Sequence, residues 1–201
     1  MYLTRQLVLV FAIVLLLPAI ALAQRPGPQF RRPLACEPLE PRTKLEAMEA
    51  GGYEKVLIKG FSQIATLNLR GADVRIDAVE LKDGSSSMRV TGIVVALRDH
   101  GERSSENRSF IDYEEIDPLL KALDTVSKVN ETVTKLASFE ARYRTLGDLE
   151  ISVFRQGRSS GTAGSITSGI CDKVTGPLTI DDLERFKAHI VEAKARLDAI
   201  R

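Results

Sequence analysis

The stretch DVRIDAVELKDGSSSMRVTGIVVAL, Asp73 to Leu97, decides the fold class. Val74, Ile76 and Ala78 alternate with Asp73, Arg75 and Asp77, the period of a strand with one dry and one wet face. The apolar phase then slips by one residue to Val79 and Leu81, which predicts a bulge near Ala78-Val79. Asp83-Gly84 breaks the run and Met88 to Leu97 resumes it, so a hairpin is predicted. Gly92 to Leu97 is apolar on both faces, which places that strand near the centre of a sheet.

Upstream, Glu54 to Lys59 reads as a short strand ended by Gly60, and Ile64 to Leu69 as another that stops before Arg70-Gly71. Before them, Thr43-Lys-Leu-Glu46 has the form of a capping box, opening a short helix that Gly51-Gly52 stops. Downstream, Ser109 to Ile111 reads as a short strand. Asp117-Pro118 is a helix start, and Leu119, Leu123 and Val126 lie on one face of a helix reaching at least Val129. Phe139, Ala141 and Tyr143 alternate, as do Leu149, Ile151 and Val153, across a turn at Leu146-Gly147-Asp148. A last strand is read around Ser165–Ile170. Thr179-Ile-Asp-Asp182 then opens a final helix whose Leu183, Phe186, Ile190, Ala193, Leu197 and Ile200 share one face.

Hairpin-length links join most of these strands, where a parallel βαβ fold would need helices. The fold expected is α+β, a curved, mostly antiparallel sheet of about seven or eight strands with two packed helices, the second C-terminal. Val56, Ile58, Val74, Ile76, Val90, Ile93 and Val95 are its expected core from the first strands. Leu119, Leu123, Phe139, Tyr143, Ile151 and the stripe of the final helix complete it.

The N-terminal stretch has different physics. Arg5 precedes the apolar run Leu7–Leu17, Pro18 ends it, and Ala21-Leu-Ala23 presents small residues where a signal peptidase reads. A spanning anchor needs roughly 20 apolar residues, and Pro18 interrupts this run. Residues 1–23 are therefore expected to be a cleaved signal peptide that leaves no stable membrane anchor. Leu34-Ala-Cys36 looks like the end of a lipobox, but Arg25, Arg31 and Arg32 separate it from the apolar run. Residues 24–42 form a Pro-rich extended arm, and 43–201 a single domain. Loss of Arg5 takes the 28 basic residues to 27, equal to the 27 acidic ones. Such a balance offers no field for nucleic acid. The setting expected is secreted or periplasmic. An even cysteine count in an exported chain points to a Cys36–Cys171 disulfide.

Chemistry-bearing patterns are sparse. Gly157-Arg-Ser159-Ser-Gly161 matches the nucleophile elbow, but the Thr-Ala-Gly-Ser-Ile-Thr-Ser-Gly that follows is a poor helix. Asp99-His100 shares a polar loop with Ser104 and Ser105, whereas His189 lies beside the apolar stripe of the final helix. Neither histidine belongs to a metal pattern. Asp112, Glu114, Glu115 and Asp117 cluster before a helix, where the macrodipole favours carboxylates; the spacing is not that of a calcium loop. Neither a cofactor nor a metal is called for. Asn107-Arg-Ser109 and Asn130-Glu-Thr132 fit the glycosylation pattern. Two readings follow. One is a non-catalytic exported domain that binds an unknown protein or small ligand through its sheet. The other is a serine hydrolase using Ser159 or Ser104 with His100.

Phe110-Ile-Asp-Tyr-Glu-Glu-Ile-Asp-Pro-Leu-Leu120 and Phe139-Glu-Ala-Arg-Tyr-Arg-Thr-Leu-Gly-Asp148 resemble stretches of uncharacterised secreted or periplasmic bacterial proteins without assigned function. The resemblance covers the region from Tyr53 onward. It implies a periplasmic or extracellular setting and brings no activity with it.

These readings make one prediction about the processed protein. Recovered from an exporting host, it should have the intact mass of a chain starting at Gln24, and its non-reducing peptide map should join Cys36 to Cys171. Retained residues 1–23, or two alkylatable thiols, would contradict them.

Overall fold

The computed structural model describes residues 40–51, 56–102, 104–157 and 161–201. The expected signal peptide, nearly all of the expected arm, Cys36 and Ser159 lie outside these residues. Four strands, β1 (Leu57–Leu69), β2 (Ala72–Asp83), β3 (Arg89–Asp99) and β4 (Glu106–Asp112), form one antiparallel meander in chain order. A second meander holds β5 (Phe139–Arg144), β6 (Leu149–Arg155), β7 (Ala163–Ser168) and β8 (Val174–Leu178). The helices are α1 (Lys44–Ala50), α2 (Ile116–Val126) and α3 (Ile180–Asp198).

The chain is thus α+β and antiparallel, with α3 C-terminal to every strand. The single curved sheet with two helices is corrected to two four-stranded sheets and three helices among the described residues. The reason lies at the edge of β4, which turns of the second sheet meet where a continuous sheet would need a further strand. A Cβ on Gly147, in the β5–β6 turn, would stand 2.0 Å from the Phe110 carbonyl oxygen. Asp148 closes that turn with φ at 61°, a left-handed position Asp tolerates. A buried Ser109–Ser168 hydroxyl pair at 2.7 Å links β4 to β7 across the sheets.

One face of the first sheet carries the main core. Leu67, Val74, Ile76, Ile93, Val95, Leu97 and Ile111 meet Ile151, Val153 and Ile166 of the second sheet. The same core takes Leu119 and Leu123 of α2 and the stripe Leu183, Phe186, Ile190, Ala193 and Leu197 of α3. Ile200, the expected sixth member, is largely exposed because α3 ends at Asp198.

Several local readings change. β1 runs unbroken through Gly60, whose missing side chain faces no close neighbour, so no turn is needed there. Its irregularity lies between Gln63 and Ala65, where Ile64 is the extra residue of a bulge. The β2–β3 register is continuous through Ala78 and Val79, which removes the bulge expected there. The phase slip has another cause. Ala78 faces the main core, whereas Val79 and Leu81 face the opposite side, in a second cluster under α1. Val56 and Ile58, expected in the core, are 67% and 53% exposed, lying before or at the start of an edge strand. Helix α2 begins at Ile116 after a 3-10 turn and ends at Val126, short of Val129. Strand β8 escapes the sequence reading because it contains Gly176-Pro177. Proline is tolerated there because β8 is an edge strand.

Phe186 is fully buried at the centre of the α3 stripe. Phe186→Ala should destabilise the fold by about 3–5 kcal/mol in denaturant melts, through lost burial and a cavity. A loss under about 1 kcal/mol would show that α3 does not close the core.

Candidate functional site

Helix α1 docks on the outer face of the first sheet because of a hole left by one glycine. A Cβ on Gly92 would stand 2.2 Å from the Ile111 carbonyl oxygen and 2.6 Å from Leu45 Cδ1. Leu45 fills that space and is fully buried, with Val79, Leu81 and Val94 around it. The capping box is present: Thr43 accepts from the Glu46 amide, and the Glu46 carboxylate accepts from the Thr43 amide. A second carboxylate acts from outside the helix. Asp112, at the end of β4, accepts from the Lys44 amide at 2.8 Å and the Leu45 amide at 3.1 Å.

With only seven residues, α1 leaves part of the apolar face uncovered. The uncovered part forms a groove of about 550 Å³ between α1, the start of β1 and the tip of the β2–β3 hairpin. Met48, Val56, Leu57, Met88 and Val90 line it, and Lys44 and Asp83 stand in its wall. The hairpin tip is strapped to the start of β1, because the Gly84 amide donates to the Val56 carbonyl at 2.7 Å. Asp83 stiffens the tip by accepting from Ser85 and Ser86.

Beside the groove the sheet has a notch. Strand β4 ends at Asp112, opposite Gly92, so Arg89, Val90 and Thr91 of β3 have no strand on that side. The opening of about 200 Å³ is walled by Lys44, Arg89, Tyr113, Glu114 and Arg201. Lys44 pairs with Glu114 at 2.9 Å on the exposed surface, and its ammonium holds the Glu114 carboxyl below the usual range. Arg89 pairs with Glu80 and donates to the Ile200 carbonyl at 2.6 Å. The Arg201 guanidinium stacks on Tyr113, 3.8 Å from the ring centroid, and the Tyr113 hydroxyl donates to Asp198.

The residues singled out from sequence fall elsewhere. The His100 imidazole meets Asp73 at 3.0 Å. The Ser104 hydroxyl donates to the Asp99 carbonyl at 2.9 Å and accepts from Arg98. Among the described residues no hydrogen bond joins His100 to Ser104. Ser159, the other candidate nucleophile, and Cys36 lie outside them; Cys171 is exposed in the β7–β8 turn. The acidic cluster disperses: Asp112 caps α1, Glu114 meets Lys44, Glu115 accepts from the Leu146 amide, and Asp117 meets Lys194. The groove and notch residues went unnoticed as a site. The available signal was apolar Val56 and Met88 beside turns, where polar residues are usual.

No family model matches the chain, and the comparisons with curated proteins and with solved structures each return no match.

Glu115 gives this region a pH dependence. Its Oε1 accepts from the Leu146 amide at 2.7 Å, while its buried Oε2 has no hydrogen-bond partner among the described residues. Burial pushes the carboxyl up, Asp112 and Glu46 push the same way, and the Leu146 amide opposes them. With the folded pKa raised, the native state holds a proton that the unfolded chain has already released. Stability from Glu115 is therefore present below the ordinary carboxylate range and lost as pH rises through the raised value. Urea melts should show Glu115→Gln gaining on the parent as pH rises from the ordinary carboxylate range. A pH-independent difference would contradict this.

Proposed function

We propose that the chain is an exported binding domain without catalytic chemistry, taking an apolar group of small-molecule size beside α1. The observation that carries this reading is the apolar groove, whose volume falls in the range of ligand pockets, about 300–1,000 Å³. Met48 and Met88 suit such a role, since unbranched thioethers re-pack around different apolar shapes. The Ser104 hydroxyl is engaged by the Asp99 carbonyl and by Arg98, not by His100, which favours binding over hydrolysis by that pair. Export rests on the N-terminal sequence, and the Cys36–Cys171 bond remains part of the proposal.

A neutral fluorescent probe, N-phenyl-1-naphthylamine, tests the groove in a protein that contains no tryptophan. Its emission should rise and saturate with the parent protein. Met88→Asp and Val56→Asp, both at exposed positions, should weaken it about tenfold or more while melting like the parent. Absence of saturable binding, or binding indifferent to both substitutions, would reject the reading.

A further inference from the structure

Groove and notch are adjoining spaces, because Lys44 and Val90 line both. One is walled largely by apolar side chains. The other is walled by three cations, Lys44, Arg89 and Arg201, and one carboxylate, Glu114. From this juxtaposition we propose that the ligand is a single-chain amphiphilic carboxylate, its chain in the groove and its head group in the notch. The inference rests on the binding-groove reading above and adds the chemical class of the ligand.

Charge complementarity selects the head group. Arg89 is paired with Glu80 and Lys44 with Glu114, whereas Arg201 acts on Glu114 and Asp198 only through space and makes no ion pair among the described residues. Three cations against one carboxylate in the wall favour an anionic head group, and with carboxylates already beside each cation a monoanion is favoured over a dianionic phosphate monoester. The Lys44–Glu114 pair is solvent-exposed and therefore weak, so the ammonium can turn toward an incoming carboxylate at little cost. Arg201 is held by its stacking on Tyr113, and its planar fork suits a carboxylate. On β3, Arg89 to Thr91 lack a strand neighbour on the notch side, which leaves the head group a way in. The chain then follows Val90 and the Lys44 stem, whose methylenes are apolar, into the space between Met48 and Met88.

Calorimetric titration of the full mature chain with decanoate, decanol and acetate, below the micellar range, separates the two proposals. Decanoate should bind about tenfold more tightly than decanol, and that preference should shrink as salt is added. Acetate, lacking the chain, should bind at least about a hundredfold more weakly than decanoate. In Lys44→Gln/Arg201→Gln, both exposed positions, decanoate should fall to the affinity that decanol has for the same variant, so that loss of the Lys44 stem, which weakens both, is cancelled in the comparison. Equal binding of decanoate and decanol by the parent would overturn the carboxylate inference and leave the groove standing. Failure of all three to bind would overturn both. A decanoate preference that survives the double substitution would remove the notch as the head-group site.

Discussion

Burial of the inner face of the first sheet is the interaction on which the rest depends. Three elements share that face: α3 with its five-residue stripe, α2, and the second sheet. None of them buries its apolar side elsewhere, so each is held by the same surface. Fully buried aliphatic and aromatic side chains contribute roughly 1.5–3 kcal/mol each, and this cluster gathers most of those in the domain. The polar groups that enter it are satisfied, as the Ser109–Ser168 pair shows, so the two sheets meet without stranded hydroxyls.

The outer face is organised by subtraction. Gly92 removes a side chain where Leu45 must enter, and Asp112, beside it on β4, supplies the carboxylate that receives the first amides of α1. A short helix with few neighbours of its own is thereby fixed by one socket and one cap. Its shortness matters as much as its attachment, because the apolar surface it fails to cover becomes the wall of a groove. Two roles on β3 are therefore adjacent: Gly92 seats the helix, and Val90, two residues earlier, faces the groove beyond it.

The elements legible from sequence were those whose pattern answers to a single environment. The α3 stripe repeats at helical spacing because one face meets the core along its length. The Thr43–Glu46 cap is local chemistry and needs no tertiary information. Strand β2 was misread because its environment changes midway, from the main core at Ala78 to the α1 cluster at Val79. An alternation rule sees only a lost phase there, since a bulge and a change of cover leave the same trace. β8 was missed because Gly-Pro argues against a strand except at an edge, and edges are a property of the assembled sheet. The groove was illegible for a related reason. Lys44, Val56, Met88 and Arg201 are far apart in the chain, and only the packing of α1 and the early end of β4 bring them to one place.

The position of α3 in the chain has a kinetic consequence. Every strand it covers is synthesised before it, and its end meets the first sheet through contacts such as Arg89 to Ile200, separated by 111 residues. Closing so long a loop delays the rewarding contacts, so topologies of this kind fold slowly. Until α3 arrives, the part of the inner face that it covers stays open while β1 is an edge strand, a combination that favours association between chains. A nascent chain of this design therefore completes its core only when its last element has been made.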